Sequence, residues 1–196
     1  MSYTTRSTIY FDSPGPANTA DAVACAVARA EEAGCSTIVL ASSTGSTALA
    51  FLPLVQKAGL RLVVVTHVYG FKMPGVWEFS AEAAATLKGA EATVVTGTHV
   101  LSGLERSFAR SAKVGGGSRT EAVAEALRRT VAVGLKVAVE CVLIAADQGA
   151  ISIEDEVVAV GGTGSGADTV CVIRPSHTAS FFDLQVREIA AMPRVR

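Results

Sequence analysis

Short runs of Val, Ile and other apolar residues alternate along this chain with longer stretches in which apolar positions recur every three or four residues. The runs at 8–11, 37–41, 61–66, 92–96, 157–160 and 169–173 contain few charged residues, as expected of strands covered on both faces. Positions 19–33 predict a helix, with Asn18 at its N-cap, Asp21 in its first turn and Gly34 to end it. Positions 46–58 predict a second, in which Pro53 must shift the start or kink the axis. Positions 81–88 predict a third, capped by Ser80 and stopped by Gly89. Strand and helix alternate, so the pattern calls for right-handed crossovers, a mostly parallel sheet and helices on both of its faces.

The segment 97–119 is too long for a plain connection in a compact domain. Ser102 with Glu105, and Ser118 with Glu121, read as two S-x-x-E capping boxes that open helices over 104–110 and 121–133. Lys136, Glu140 and Asp147 are spaced as one helical face, so 136–146 reads as a helix despite its apolar content. On that helix the carboxylates are expected to face solvent or to pair with Lys136. The tail 181–192 fits neither period cleanly and is compatible with a terminal helix or an edge strand. No repeat or linker divides the chain, Gly115 to Gly117 being too short to do so, and one domain over 1–196 is expected.

With 17 basic and 18 acidic residues among 196, the net charge of -1 offers no field for a nucleic acid. Only 18% of residues are charged against 49% hydrophobic, which is lean coverage for a small monomer, so homo-oligomer contacts are expected. No apolar run approaches the ~20 residues of a membrane span. The first residues carry no apolar block of a secretory signal, and a cytoplasmic location follows as the expectation. Cys25, Cys35, Cys141 and Cys171 have no redox or zinc spacing and sit among apolar neighbours, as buried inert thiols do. The three histidines form no metal signature, and no structural metal is expected.

Ligands of open α/β sheets bind beyond the carboxyl ends of the strands. Here those ends carry Asp12-Ser13-Pro14-Gly15, Ser42 to Thr47, Thr66-His67, Thr96-Gly97-Thr98-His99 and Gly161 to Gly166: hydroxyls, glycines and two histidines with almost no charge. The segment ASSTGSTA at 41–48 runs from a strand into a helix and aims backbone amides and short hydroxyls at one point. That geometry suits a phosphate, although simple helix capping explains the same residues equally well. The Gly-Lys-Ser/Thr of a phosphoryl-transfer loop is absent, as is a G-x-S-x-G nucleophile elbow. His67 and His99 can serve as donors or as acid and base, or be satisfied structural residues. Tyr69, Phe71 and Trp77 can stack on a ring system, cover a pocket or pack in a core or subunit contact.

Ser42-Ser43-Thr44-Gly45, Thr66 with Gly70-Phe71, His99 with LSGLERS, SRTEAVAEALR, AADQGAI, AVGGTGSGADTVCVIRP and FFDLQVREI together resemble the stand-alone pyruvate kinase C-terminal-domain-like proteins over nearly the whole chain. The resemblance implies a three-layer α/β sandwich with a central, mostly parallel sheet, and flavin mononucleotide (FMN) as the cofactor of some members. It implies that Ser42, Ser43, Thr44, Gly45 and Thr47 hold a phosphate. Thr66, His67, Gly70, His99, Ser102, Gly103, Gly161, Gly162 and Thr163 are then expected to line the sugar chain and ring, with His99 or Arg106 stabilising negative charge on the reduced ring. Kinase activity is not expected, since the catalytic barrel has no counterpart in this sequence. Two readings follow from the resemblance: an FMN-binding protein with oxidoreductase activity as one form of it, and a non-catalytic sensor of a phosphorylated sugar or similar metabolite.

Overall fold

The computed structural model describes residues 2–114 and 116–195, so Gly115 of the glycine run 115–117 lies outside the described residues. Seven strands form one sheet: β1 (Ile9–Phe11), β2 (Thr37–Ala41), β3 (Arg61–Thr66), β4 (Thr93–Thr96), β5 (Val157–Gly161), β6 (Thr169–Arg174) and β7 (Gln185–Pro193). Their spatial order is β1-β7-β6-β5-β2-β3-β4. Every neighbouring pair is parallel except β5–β6 and β6–β7, so β6 alone runs backwards and the sheet is mostly parallel, as predicted.

Side chains alternate across a strand, and the two faces fill two separate cores. Ile38, Leu40, Val64, Val158, Val160 and Val172 pack under α1 (Thr19–Ala33), α2 (Ser46–Lys57) and α3 (Ala81–Gly89). Val39, Val63, Val65, Val157, Ala159 and Ile173 pack under α6 (Val133–Asp147) on the other face. Outside α6 lie α5 (Arg119–Thr130) and α4 (Gly103–Arg110), which has no buried residue. All four cysteines are free and buried. Burial pushes their thiols up, that of Cys171 to about 12, which makes them poor nucleophiles.

Several local expectations are corrected. Asn18 stands before α1, but its side chain donates to the Ser13 carbonyl and caps nothing. Helix α2 starts at Ser46 and continues through Pro53, which lies on its exposed side. The chain breaks at Ala132, in extended conformation, so Val133 begins α6 and does not end α5. Of the two capping boxes only half of one forms: Ser118 Oγ accepts from Glu121 N at 3.0 Å. Glu105 turns away from Ser102 and accepts instead from Ser118 Oγ and Thr120 N, clamping α4 to the start of α5. Of the tail 181–192, the start closes a 3-10 helix (Thr178–Asp183) and the rest is strand β7, which is not at an edge, because β1 pairs with its other side. Two register shifts against β6 insert extra β7 residues, which is why the apolar positions of the tail follow no single period.

Candidate functional site

Because β5, β2, β3 and β4 are parallel neighbours, their carboxyl ends lie side by side along one edge of the sheet. At the end of β2 the Ser42 amide donates to Val65 O (3.0 Å) and its Oγ accepts from Ala48 N (3.3 Å), which folds the turn back onto α2. Gly45 then occupies the N-cap with φ +100°, a left-handed conformation that disfavours side chains. A Cβ there would stand 2.4 Å from Ala83 Cβ, so the glycine also lets α3 approach. The amides of Gly45, Ser46 and Thr47 have no partner among the described residues. Thr47 is buried, while Thr44 and Ser46 are exposed with their hydroxyls 3.2 Å apart. Ser42 therefore does the capping, and the outer hydroxyls and first amides are left free.

The end of β3 supplies Thr66 and His67. The Thr66 hydroxyl is engaged on all sides: it lies 2.9 Å from Thr96 Oγ1, donates to His67 O and accepts from Trp77 Nε1 (3.1 Å). It thereby ties down the long loop between β3 and α3, in which Gly70 (φ +77°) makes the turn that returns to Val76. His67 lies between two partners, Ser43 Oγ at 3.2 Å from Nε2 and Glu78 Oε2 at 2.8 Å from Nδ1. Lys72 Nζ donates to the other oxygen of Glu78 at 2.7 Å, and the hydrogen bonds from Lys72 and His67 hold this carboxyl below its usual range. Phe71 closes over the pair of histidines, its ring centroid 3.8 Å from that of His67 and 5.0 Å from that of His99. Tyr69, Trp77 and Phe79 form a second stack beside it.

The end of β4 supplies His99, whose Nδ1 lies 3.1 Å from Glu140 Oε2. Leu101 N donates to Glu140 Oε1 at 2.9 Å, and Lys136 Nζ donates to Oε2. Of the two expectations for Glu140, solvent or a pair with Lys136, the structure has the pair, and it is buried, with Lys136 and Glu140 only 3% and 4% exposed. The reason is that α6 lies against the sheet on one side and α5 on the other. Burial alone pushes the Glu140 carboxyl up. The hydrogen bond from His99 and the charge and hydrogen bond of Lys136 outweigh it and bring it to about 2. An ionised Glu140 can only accept, so Nδ1 of His99 carries the hydrogen, and in the uncharged tautomer Nε2 is an acceptor. That Nε2 is buried and has no partner. Ser102 and Gly103 follow in a tight turn on the His99 carbonyl, and Ser102 is buried. Arg106 pairs with Glu121 on α5 (3.5 Å).

Gly161, Gly162 and Thr163 are used differently. A Cβ at Gly161 would stand 2.2 Å from Gly134 O on α6, and one at Gly162 would stand 2.3 Å from Gly166 O, so packing already requires both glycines. The hairpin they open is organised by Asp168, a fully buried residue that sequence inspection passed over. Its Oδ2 accepts from Thr163 N (3.1 Å) and Gly15 N (3.0 Å), and its Oδ1 accepts from Thr169 Oγ1 (2.8 Å). Glu78 was likewise not singled out, and Glu140 and Lys136 were read only as a solvated or paired helix face, because only the fold carries them to the strand ends. Two cavities of about 390 Å³ each lie at the opposite edge, one lined by Leu52, Gln56, Leu60, Arg61 and Ala92, the other by Arg174, Ser176 and Phe182. The hydroxyl-bearing tips border neither of them.

A family model for the pyruvate kinase alpha/beta domain matches residues 21–173, from the first helix to the penultimate strand. The chain belongs to that family. Within the pyruvate kinase alpha/beta domain fold, the matched span contains the β2–α2 turn, His67, His99 and the glycine-rich hairpin. Among solved structures the chain is similar to Cryptosporidium parvum pyruvate kinase in complex with ADP, at 17% identity and a TM-score of 0.41. The match covers 84% of this chain and 25% of that one, so the chain spans about a quarter of that enzyme's length.

Proposed function

We propose that this chain binds flavin mononucleotide, with the phosphate at the β2–α2 turn and the ring near His67, Phe71 and His99. The observation that carries the reading is continuity. The free amides at Gly45, Ser46 and Thr47 and the hydroxyls of Ser43 and Thr44 adjoin, through the Ser43–His67 contact, a cluster of three rings. A helix N-terminus suits a phosphate without need of a basic side chain. The residues also fit the ring: the orphaned Nε2 of His99 is a buried acceptor, and the flavin imide is an N–H donor. Bound flavin supplies electron and hydride transfer. The chain's part is to hold Nδ1–H of His99 toward Glu140 and keep Nε2 available, while Phe71 shields the rings from water. In this reading the protein works in the cytoplasm, where four unpaired thiols stay reduced.

The rival reading, a sensor of a phosphorylated sugar, has one observation in its favour. Phe71 lies 3.8 Å from His67 and so fills the space that a stacked ring system requires, whereas a sugar phosphate needs only the turn. Titration of the protein with FMN, followed by quenching of flavin fluorescence, separates the two. Micromolar or tighter binding supports the flavin, and sugar-phosphate affinity with no flavin binding replaces it by the sensor. Thr44→Glu places a carboxylate against the phosphate, and the expected loss is at least about tenfold in affinity, or ~1.4 kcal/mol. Unchanged affinity removes the anion from this turn.

A further inference from the structure

The contacts of His67 carry an inference that does not depend on any flavin. Its Nδ1 is 2.8 Å from Glu78 Oε2, and its Nε2 is 3.2 Å from the hydroxyl of Ser43. A carboxylate on one ring nitrogen fixes the tautomer, so the other nitrogen is a lone pair facing a hydroxyl, which is the arrangement that activates a serine. The order of the three residues and the turn type match no sequence signature for such a site, and recognition rests on geometry alone. Lys72 holds the free oxygen of Glu78, which keeps the carboxylate aimed at the ring. Ser43 and His67 are both partly exposed, so a small molecule can reach them. The unpartnered amides of Gly45 and Ser46 lie two and three residues beyond Ser43 in the same turn and supply N–H donors for a developing oxyanion.

We propose that Ser43, His67 and Glu78 form a nucleophilic relay that cleaves small carboxylic esters at the carboxyl edge of the sheet. His67 Nε2 takes the Ser43 proton as Oγ bonds to the ester carbonyl carbon. The ester C–O bond then breaks, and the same proton passes to the departing alcohol. Water, deprotonated by His67, attacks the acyl-serine, whose C–O bond breaks to release the carboxylic acid and restore the Ser43 hydroxyl. Nothing is oxidised or reduced, and water is the sole co-reactant. Phosphoryl transfer suits the site less well, because Lys72 and Lys136 are already matched by Glu78 and Glu140.

The test is covalent labelling of the full chain, without added flavin, by a fluorophosphonate probe, with intact mass and peptide mapping. The expected result is one adduct per chain, on Ser43, and none in Ser43→Ala. His67→Gln is expected to slow labelling at least about 100-fold, the usual worth of a positioned base. Glu78, a positioning residue, is expected to show a smaller loss in Glu78→Gln, with partial rescue in Glu78→Asp and a changed pH profile of the labelling rate. Thermal unfolding of each variant distinguishes lost folding from lost reactivity. The absence of a Ser43 adduct on the folded parent chain overturns the proposal, as does a folded His67→Gln that labels at the parent rate. Since FMN titration is read separately, failure to label leaves the flavin reading standing, and failure to bind flavin leaves the relay standing.

Discussion

Lys136 and Glu140 show how a single pair can serve both stability and the site. Each is buried, each requires the other, and together they set the tautomer of His99. Removing one member strands a buried charge, so Lys136→Met is expected to cost about 3–5 kcal/mol in denaturant unfolding. Replacing both by apolar residues of similar volume is expected to recover most of that loss, and a double variant no more stable than the single one would disprove the account. Folding favours the ionised form of Glu140, whose carboxyl lies near 2 against an ordinary 4.5. Its contribution is therefore complete above pH ~4.5 and is lost as pH falls toward 2. Unfolding free energy measured over that window should decline more steeply in the parent than in the double variant. The residue types, and their spacing of four, were legible in the sequence, whereas their burial depended on what lay over α6.

Two close approaches fix the geometry of the strand ends. Gly45 combines φ +100° with contact against α3, and Gly161 faces the backbone of α6 at Gly134. Gly45→Ala and Gly161→Ala are each expected to lower stability by about 1–3 kcal/mol, through strain and overpacking. Equilibrium unfolding checks both, and a neutral Gly161→Ala would show that the helix and hairpin can separate at no cost. β2, β3, β5, β6 and most helices were legible because burial on both faces and helical spacing leave strong marks, whereas β1 and β4 were also expected to be covered on both faces and are instead the partly exposed edge strands. The break between α5 and α6 was expected around Gly134 and lies a few residues earlier, at Val131 and Ala132, with Gly134 taken into the first turn of α6. The capping box at Ser102 also misled, since Glu105 found better donors at the start of α5 than in its own helix.

Apolar side chains stay exposed in separate places on the molecule. On α4, Leu104 and Phe108 lie one turn apart and are 69% and 48% exposed, and Phe182 is 93% exposed in the turn before β7. With so few charged residues to cover the remainder, self-association is expected, and light scattering after size exclusion should give a mass at least twice that of one chain. A monomer at micromolar concentration would refute this. Among the described residues no helix is long and apolar enough to cross a membrane. The sequence by itself determined the alternating α/β plan, the hydroxyl-rich character of the strand ends and the family, because periodicity and turn chemistry are local properties. Tertiary structure alone decided that His67 meets both Ser43 and Glu78, that Glu140 and Lys136 support His99, and that Asp168 gathers the glycine hairpin. Those are contacts between residues far apart in the chain, and a pairwise contact leaves no periodic trace in either partner's local sequence.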